Sequence, residues 1–362
     1  MRNCLLLLLL ISIQASLAQN TYNYTPPASL SDNWHTKDLR LLTKDTTLLY
    51  KLFTQLPDGD HELRSTLVVK NGVLLLEEYF KEGAVNKQQD LRSATKSVRS
   101  LLIGIAIDKG YIESLDDPIQ KYLGNLKPEK NIDTLKEQIT IRHLLTMSAG
   151  WDCNDRDAKS EGQEDRIYRK KDWLQYALDL PMINEPGAVT NYCSIGTVLL
   201  MQVLSSATNM PVDFFAAQYL FEPLGISNYS WGHTSKKEVI PAAKRLYMTP
   251  RDMAKIGQLV LEEGRWNKQQ IVSKSWIEIA TKQHTQIDGS GYGFLWWMTQ
   301  FPNKTSPLLG FAASGNGGQY IVIFPSEKLI FVFTGEAYNS PKAQLPIFIM
   351  RDVFIPTFVN LD

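Results

Sequence analysis

An α/β (α+β) fold, with one sheet built from both ends of the chain around a mostly helical insertion, is what three observations predict. Runs rich in β-formers occur early, at Ser65–Val69 and Val73–Tyr79, and late, at Tyr292–Trp297, Gln319–Phe324 and Leu329–Phe333. Between Tyr111 and about Pro241 no convincing sheet pattern appears. At the first junction stands a strongly apolar helical run, Val98 to Ile107. Sheet, then helices, then sheet again is most simply an α/β layer interrupted by an insertion.

Element by element, the order is as follows. Asn20 to Asn33 is a polar, Pro-containing leader without periodicity. Asp45 is placed to cap a helix that carries Leu48, Leu49, Leu52 and Phe53. Asn71-Gly72 joins the two early strands, and this dipeptide suits a two-residue type I′ hairpin. The Val98–Ile107 helix is apolar almost all round, so it belongs inside a domain. Ile139–Met147, Asp172–Leu180, Ile195–Ser205 and Val212–Leu220 read as helices, and the charged stretch Asn154–Lys171 as a solvated loop. Lys342–Phe354 reads as a closing helix. The expected organisation is 19–44 leader, 45–110 with 242–362 the sheet domain, 111–241 the helical domain, and a cleft between the two.

Ser93-Ala94-Thr95-Lys96 heads the buried helix. Positions three apart share a helix face, so the Ser93 hydroxyl and the Lys96 amine point into the same space. That spacing lets an amine take the proton of a serine nucleophile. Burial and the helix N-terminus both disfavour an ammonium, so Lys96 is expected to lean towards the neutral amine. A Ser-x-x-Lys pair on its own is common on solvated helix surfaces, and it is the apolar helix that sets this one apart.

Composition narrows the function class. The chain has 362 residues, 44% of them hydrophobic, and a formal net charge of zero. There is no basic excess to attract nucleic acid. No cluster has metal-ligand spacing, and no cofactor is implied. Residues 1–18 read as an export signal: Arg2, the apolar run Leu5–Ile11, and Ser16-Leu17-Ala18 as the cleavage site. The apolar run is too short for a spanning helix, so the expectation is a periplasmic or secreted protein without a transmembrane anchor. Oligomeric state is not legible.

Further signatures follow Ser93-Ala94-Thr95-Lys96 in order: Ile139-Thr140-Ile141-Arg142-His143-Leu144-Leu145, Phe221-Glu222-Pro223-Leu224-Gly225-Ile226 and Thr249-Pro250-Arg251-Asp252-Met253-Ala254. With them the chain resembles the serine β-lactamase-like hydrolases, which include class C β-lactamases, DD-peptidases and related esterases. The resemblance runs from about Ser65 to the C-terminal helix. It implies an antiparallel five-stranded sheet flanked by helices. It also implies a Tyr-x-Asn or Tyr-x-Ser second motif, which Tyr192-Cys193-Ser194 fits, with Tyr192 passing protons and Ser194 binding substrate. The family's third motif, Lys-Thr-Gly or His-x-Gly, aligns with Gly315-Asn316-Gly317 as further substrate-binding residues, and the cation is missing. By the same resemblance the backbone amides of Ser93 and Gly318 form the oxyanion hole. His143, inside an apolar helix pattern, reads as structural.

Cys153 and Cys193 are either two separate thiols or a bridge beside the cleft, and both readings stand. The expected activity is acyl-enzyme hydrolysis of an ester or a small amide or peptide bond, with Ser93 and the Lys96–Tyr192 pair as catalytic residues. A β-lactamase or D-Ala-D-Ala carboxypeptidase is the first alternative, because Arg142, Arg156 or Lys170 can supply the missing charge. A covalent sensor that stalls at the acyl stage is the second.

Overall fold

The computed structural model describes residues 22–43, 45–56, 59–232, 245–303, 306–359 and 361. The export signal expected at 1–18 lies outside the described residues.

Both ends of the chain build one sheet. From edge to edge the order is β1 (His35–Thr36), β3 (Val73–Tyr79), β2 (Leu63–Lys70), β14 (Leu329–Gly335), β13 (Gln319–Phe324), β12 (Leu308–Gly315), β11 (Trp297–Phe301), β10 (Ser290–Tyr292) and β9 (Thr285–Ile287). The sheet therefore has nine strands where five were expected. Four strands make the difference: β1, β9 and β10 have two or three residues each and carry too little periodicity to be read, and the eight-residue β12 was not read as a strand. Tyr292–Trp297, read as one strand, is divided between β10 and β11 by a reversal in which Leu295 takes a left-handed φ of 63°.

The β2–β3 hairpin forms where the sequence places it, and Asn71 (φ 52°) and Gly72 (φ 75°) both take the positive φ that a type I′ turn needs. β2 also pairs antiparallel with β14, which closes the N-terminal hairpin onto the C-terminal one. A second, three-stranded sheet joins β4 (Gln89–Asp90), β6 (Arg245–Met248) and β5 (Tyr229–Gly232), and β7 (Arg265–Trp266) pairs with β8 (Gln269–Gln270). β5 lies inside the stretch expected to hold no strand.

The helices are α1 (Thr47–Gln55), α2 (Thr95–Asp108), α3 (Gln120–Leu123), α4 (Ile141–Leu145), α5 (Glu164–Ile167), α6 (Trp173–Leu178), α7 (Ser194–Thr208), α8 (Val212–Ala216), α9 (Pro250–Leu261), α10 (Lys274–Ala280), α11 (Leu345–Ile349) and α12 (Ile355–Phe358). The sheet separates two apolar cores. On one face α2, α7 and α9 pack with Leu101, Leu102, Leu199 and Ile256 among the fully buried side chains. On the other, α1, α11 and α12 cover Val68, Phe331 and Phe333. At about 25 cal/mol per Å² of apolar surface, each such leucine or phenylalanine contributes roughly 1.5–3 kcal/mol. Among the described residues no single helix is long and apolar enough to cross a membrane.

Candidate active site

Asp90, Ser93 and Lys96 share one short piece of chain. The Arg92 amide donates to Asp90 Oδ1 at 2.9 Å, which folds the chain into a 3-10 turn, Arg92–Ala94, feeding directly into α2. Arg92 sits at φ 49°, a left-handed conformation that costs energy for a residue with a Cβ. The strained residue immediately precedes Ser93, so the turn that presents the hydroxyl is over-determined by its surroundings. Lys96, one turn on, is only 5% exposed, and its Nζ donates to Ser93 Oγ at 2.9 Å.

Tyr192 arrives from the other side, two residues ahead of α7. Lys96 Nζ lies 4.8 Å from the centre of the Tyr192 ring. The Tyr192 ring stacks on Trp297 at 5.5 Å and meets Tyr292 edge-on at 6.4 Å, which makes an aromatic wall. Ser194, the first residue of α7, is 9% exposed.

Asp155 ties these pieces together, and sequence reasoning missed it. Its amide donates to the Tyr192 carbonyl at 2.8 Å. Its Oδ2 accepts from Ser194 N at 3.0 Å and from Ser194 Oγ at 2.6 Å. Its Oδ1 is shielded from solvent with no hydrogen-bond partner. Burial pushes the Asp155 carboxyl up to about 6, the neighbouring Lys96 pulls it down, and Glu164 pushes it further up. Both acids belong to Asn154–Lys171, the stretch expected to be a solvated loop. Instead α5 forms inside it, Ser160, Gly162 and Ile167 are buried, and Glu164 reaches the cleft wall. High charge density hid a segment in which most charges stay exposed while Asp155 and Glu164 turn inwards. The disulfide Cys153–Cys193, with Cα atoms 5.4 Å apart, fastens this segment to the Tyr192 motif.

The surroundings of Lys96 run against one expectation. Burial works against its ammonium, but Tyr192, Glu164 and Asp155 together outweigh burial and raise its pKa above the usual lysine value. The direction is opposite to the lean towards a neutral amine that the helix alone suggests.

β12 closes the opposite side. An added Cβ on Gly315 would stand 2.2 Å from the Leu91 carbonyl oxygen and 3.1 Å from the Ala94 amide, so only glycine lets the strand end touch the Ser93 turn. Asn316 lines the cleft with Ser93, and its side chain is bonded to Asn339. Gly317 (φ 95°) and Gly318 (φ 95°) turn the chain into β13. Gly318 faces Pro346 and Ala343 and is not among the residues lining the cleft.

The structure thus brings Ser93, Lys96, Tyr192, Ser194, Gly315 and Asn316 together, with Gly317 in the adjoining turn. Of the substitute cations, Arg142 is paired with Asp116 and Lys170 lies over Tyr176, both outside the cleft lining. Arg156 stands over Tyr192 and Trp297, paired with Asp288. His143 caps α4, its Nδ1 accepting from the Thr140 amide at 3.1 Å. The cleft has a volume of about 80 Å³.

Residues 53–345 match the Beta-lactamase family. An uncharacterised protein of Alkalihalophilus pseudofirmus is 24% identical over 315 residues, which cover 77% of this chain and 85% of that protein. The 6-aminohexanoate-dimer hydrolase of Paenarthrobacter ureafaciens is 25% identical over 242 residues, 63% of this chain and 60% of the hydrolase. Among solved structures, the octameric penicillin-binding protein homologue from Pyrococcus abyssi superposes with a TM-score of 0.64 at 21% identity, over 85% of this chain and 77% of that one. The penicillin binding protein from Bacillus halodurans gives 0.62 at 15% identity, over 83% and 98%.

Proposed function

The chain belongs to the Beta-lactamase family, which residues 53–345 match, and from that premise we propose that it hydrolyses an ester or small amide through an acyl-enzyme on Ser93. The observation that carries this reading is the Lys96 Nζ to Ser93 Oγ hydrogen bond of 2.9 Å inside the cleft that Tyr192 borders. Ser93 Oγ attacks the substrate carbonyl carbon, and its proton passes to the Lys96–Tyr192 pair, which titrates as a unit. The oxyanion is held by the Ser93 amide and, as the family resemblance implies, by that of Gly318. The bond to the leaving oxygen or nitrogen breaks, and that atom takes a proton from Tyr192. Water then attacks the acyl ester, gives a proton to the pair, and releases the acid and free Ser93.

Three features favour esters and small amides over β-lactams. No cation stands at Gly315, where related enzymes carry Lys or His. The Tyr192 ring stacked on Trp297 beside Lys96 offers a surface for an apolar chain. A relative at 25% identity is named the 6-aminohexanoate-dimer hydrolase. The Cys153–Cys193 disulfide supports an exported, oxidising location.

The test is a panel of p-nitrophenyl esters, linear amides, D-amino-acid peptides and nitrocefin, with Ser93→Ala as control. Short-chain esters are expected to exceed nitrocefin in kcat/KM. The reverse order makes the protein a β-lactamase, and stable acylation without turnover makes it a covalent sensor.

A further inference from the structure

The chain just beyond β14 reaches back to both turns that flank the nucleophile. Its root is anchored. The Glu336 carboxylate accepts from Arg64 at 2.8 Å, and the Gln319 side chain pairs with the Gly335 backbone through both its oxygen and its nitrogen. Three residues on, Asn316 Nδ2 donates to Asn339 Oδ1 at 2.7 Å, and Asn316 Oδ1 accepts from the Asn339 amide at 3.0 Å. Between these fastenings the Ala337 amide donates to the Gly317 carbonyl at 3.1 Å. That carbonyl and the Gly318 N–H belong to one planar peptide unit. The described chain has no cis bond, so the two groups point in opposite directions, and holding one fixes the other. The approach is close: an added Cβ on Gly335 would stand 2.6 Å from the Gly317 oxygen.

Tyr338 stands between the two turns. An added Cβ on Gly317 would meet its ring carbons at 2.6 Å. The Arg92 guanidinium lies over the same ring, 4.2 Å from its centre, an arrangement that attracts a cation to the ring face. Arg92 is the residue at φ 49° immediately before Ser93. A left-handed arginine persists only where its surroundings hold it. Asp90 holds it through the Arg92 amide and Nε, and Tyr338 holds the guanidinium. One ring therefore touches the residue ahead of the Ser93 amide and the residue ahead of the Gly318 amide, the two donors assigned to the oxyanion.

We infer that Tyr338 is a positioning residue that keeps the Ser93 and Gly318 amides in mutual register, so that both meet one oxyanion. The inference rests on the hydrolase reading given above and names the side chain that aligns its oxyanion hole. The ring makes both contacts, so the hydroxyl is dispensable.

The experiment compares Tyr338→Leu and Tyr338→Phe with the unmodified protein, using p-nitrophenyl butyrate as substrate and propylboronic acid as inhibitor. Ser93 Oγ adds to the boron, its proton passes to the Lys96–Tyr192 pair, and the tetrahedral anion places one oxygen where the substrate's oxyanion would lie. In Tyr338→Leu, kcat is expected to fall by about 10²-fold, the scale of a displaced catalytic group, with little change in KM. Ki for the boronic acid should rise in step with the fall in kcat/KM, because the loss is confined to the tetrahedral state. Tyr338→Phe should keep both constants close to those of the unmodified protein. Should Tyr338→Leu fail to fold by circular dichroism, Arg92→Met carries the same test from the other partner, since it keeps the side-chain length and loses the charge over the ring. An unchanged kcat, a rise in KM alone, or a Tyr338→Phe variant as slow as Tyr338→Leu overturns the positioning role. If the unmodified protein turns over no ester and takes no boronate on Ser93, the hydrolase reading itself fails, and this inference with it.

Discussion

Lys96 shows how much the charge of one buried side chain depends on residues far away in sequence. Read from the helix alone, burial should strip its proton. In the fold, Tyr192, and then Glu164 and Asp155 from a segment about 60 residues later, push it the other way. Replacing Asp155 by Asn keeps an oxygen that accepts from Ser194 but removes one upward push on Lys96. The rising limb of kcat/KM against pH should therefore move to lower pH in Asp155→Asn, measured with a neutral ester. An unmoved limb would detach Asp155 from the proton relay. Lys96→Ala and Tyr192→Phe should each lower kcat by about 10³-fold or more, and the double variant by little more than the worse single one, because the two act as a unit. Gly315 is a residue-scale constraint of another kind. Gly315→Ala places a methyl 2.2 Å from the Leu91 carbonyl oxygen, which pushes the Ser93 turn out of register. A fall in kcat of about 10²-fold is expected, with a stability loss of roughly 1–3 kcal/mol by denaturant melt.

At the scale of elements, strong local codes were legible and weak ones were not. Asn71-Gly72 fixed a hairpin because only positive φ at both residues closes it, and the all-round apolar run announced α2. α7 likewise lies where Ile195–Ser205 was read as a helix. The two-residue strands, the reversal at Leu295 and the inward-folded Asn154–Lys171 segment were not legible, because tertiary pairing rather than periodicity creates them. Within the site, Ser93, Lys96 and Tyr192 could be named from motif spacing, whereas Asp155 and Glu164 carry no motif and emerge only when the chain folds. The disulfide is the element-scale device that keeps the acidic segment against Tyr192. Its partners are 40 residues apart, which in the chain-entropy model gives about 4 kcal/mol, less any native strain. The Cys153→Ser, Cys193→Ser double variant should accordingly melt earlier by about 2–4 kcal/mol and lose kcat, because Asp155 and Tyr192 are no longer clamped. An unchanged melting midpoint would show that packing alone holds the segment.

Across the whole molecule, the nine-stranded sheet is the frame against which everything else is aligned. Its β2–β14 pairing joins the chain's two ends, α2 lies against one face, and β12 delivers Gly315 to the turn that bears Ser93. α7 delivers Ser194 and, just ahead of it, Tyr192. The nucleophile, Lys96, Ser194 and Asn316 thus come together in one cleft, with Tyr192 against Lys96. All of this depends on Ser93 being the atom that is acylated. The most direct test is to incubate the protein with a fluorophosphonate and locate the adduct by peptide mass spectrometry. The account predicts one stoichiometric adduct on Ser93, absent in Ser93→Ala and strongly slowed in Lys96→Ala. An adduct on any other serine, or full labelling of Ser93→Ala, would contradict it.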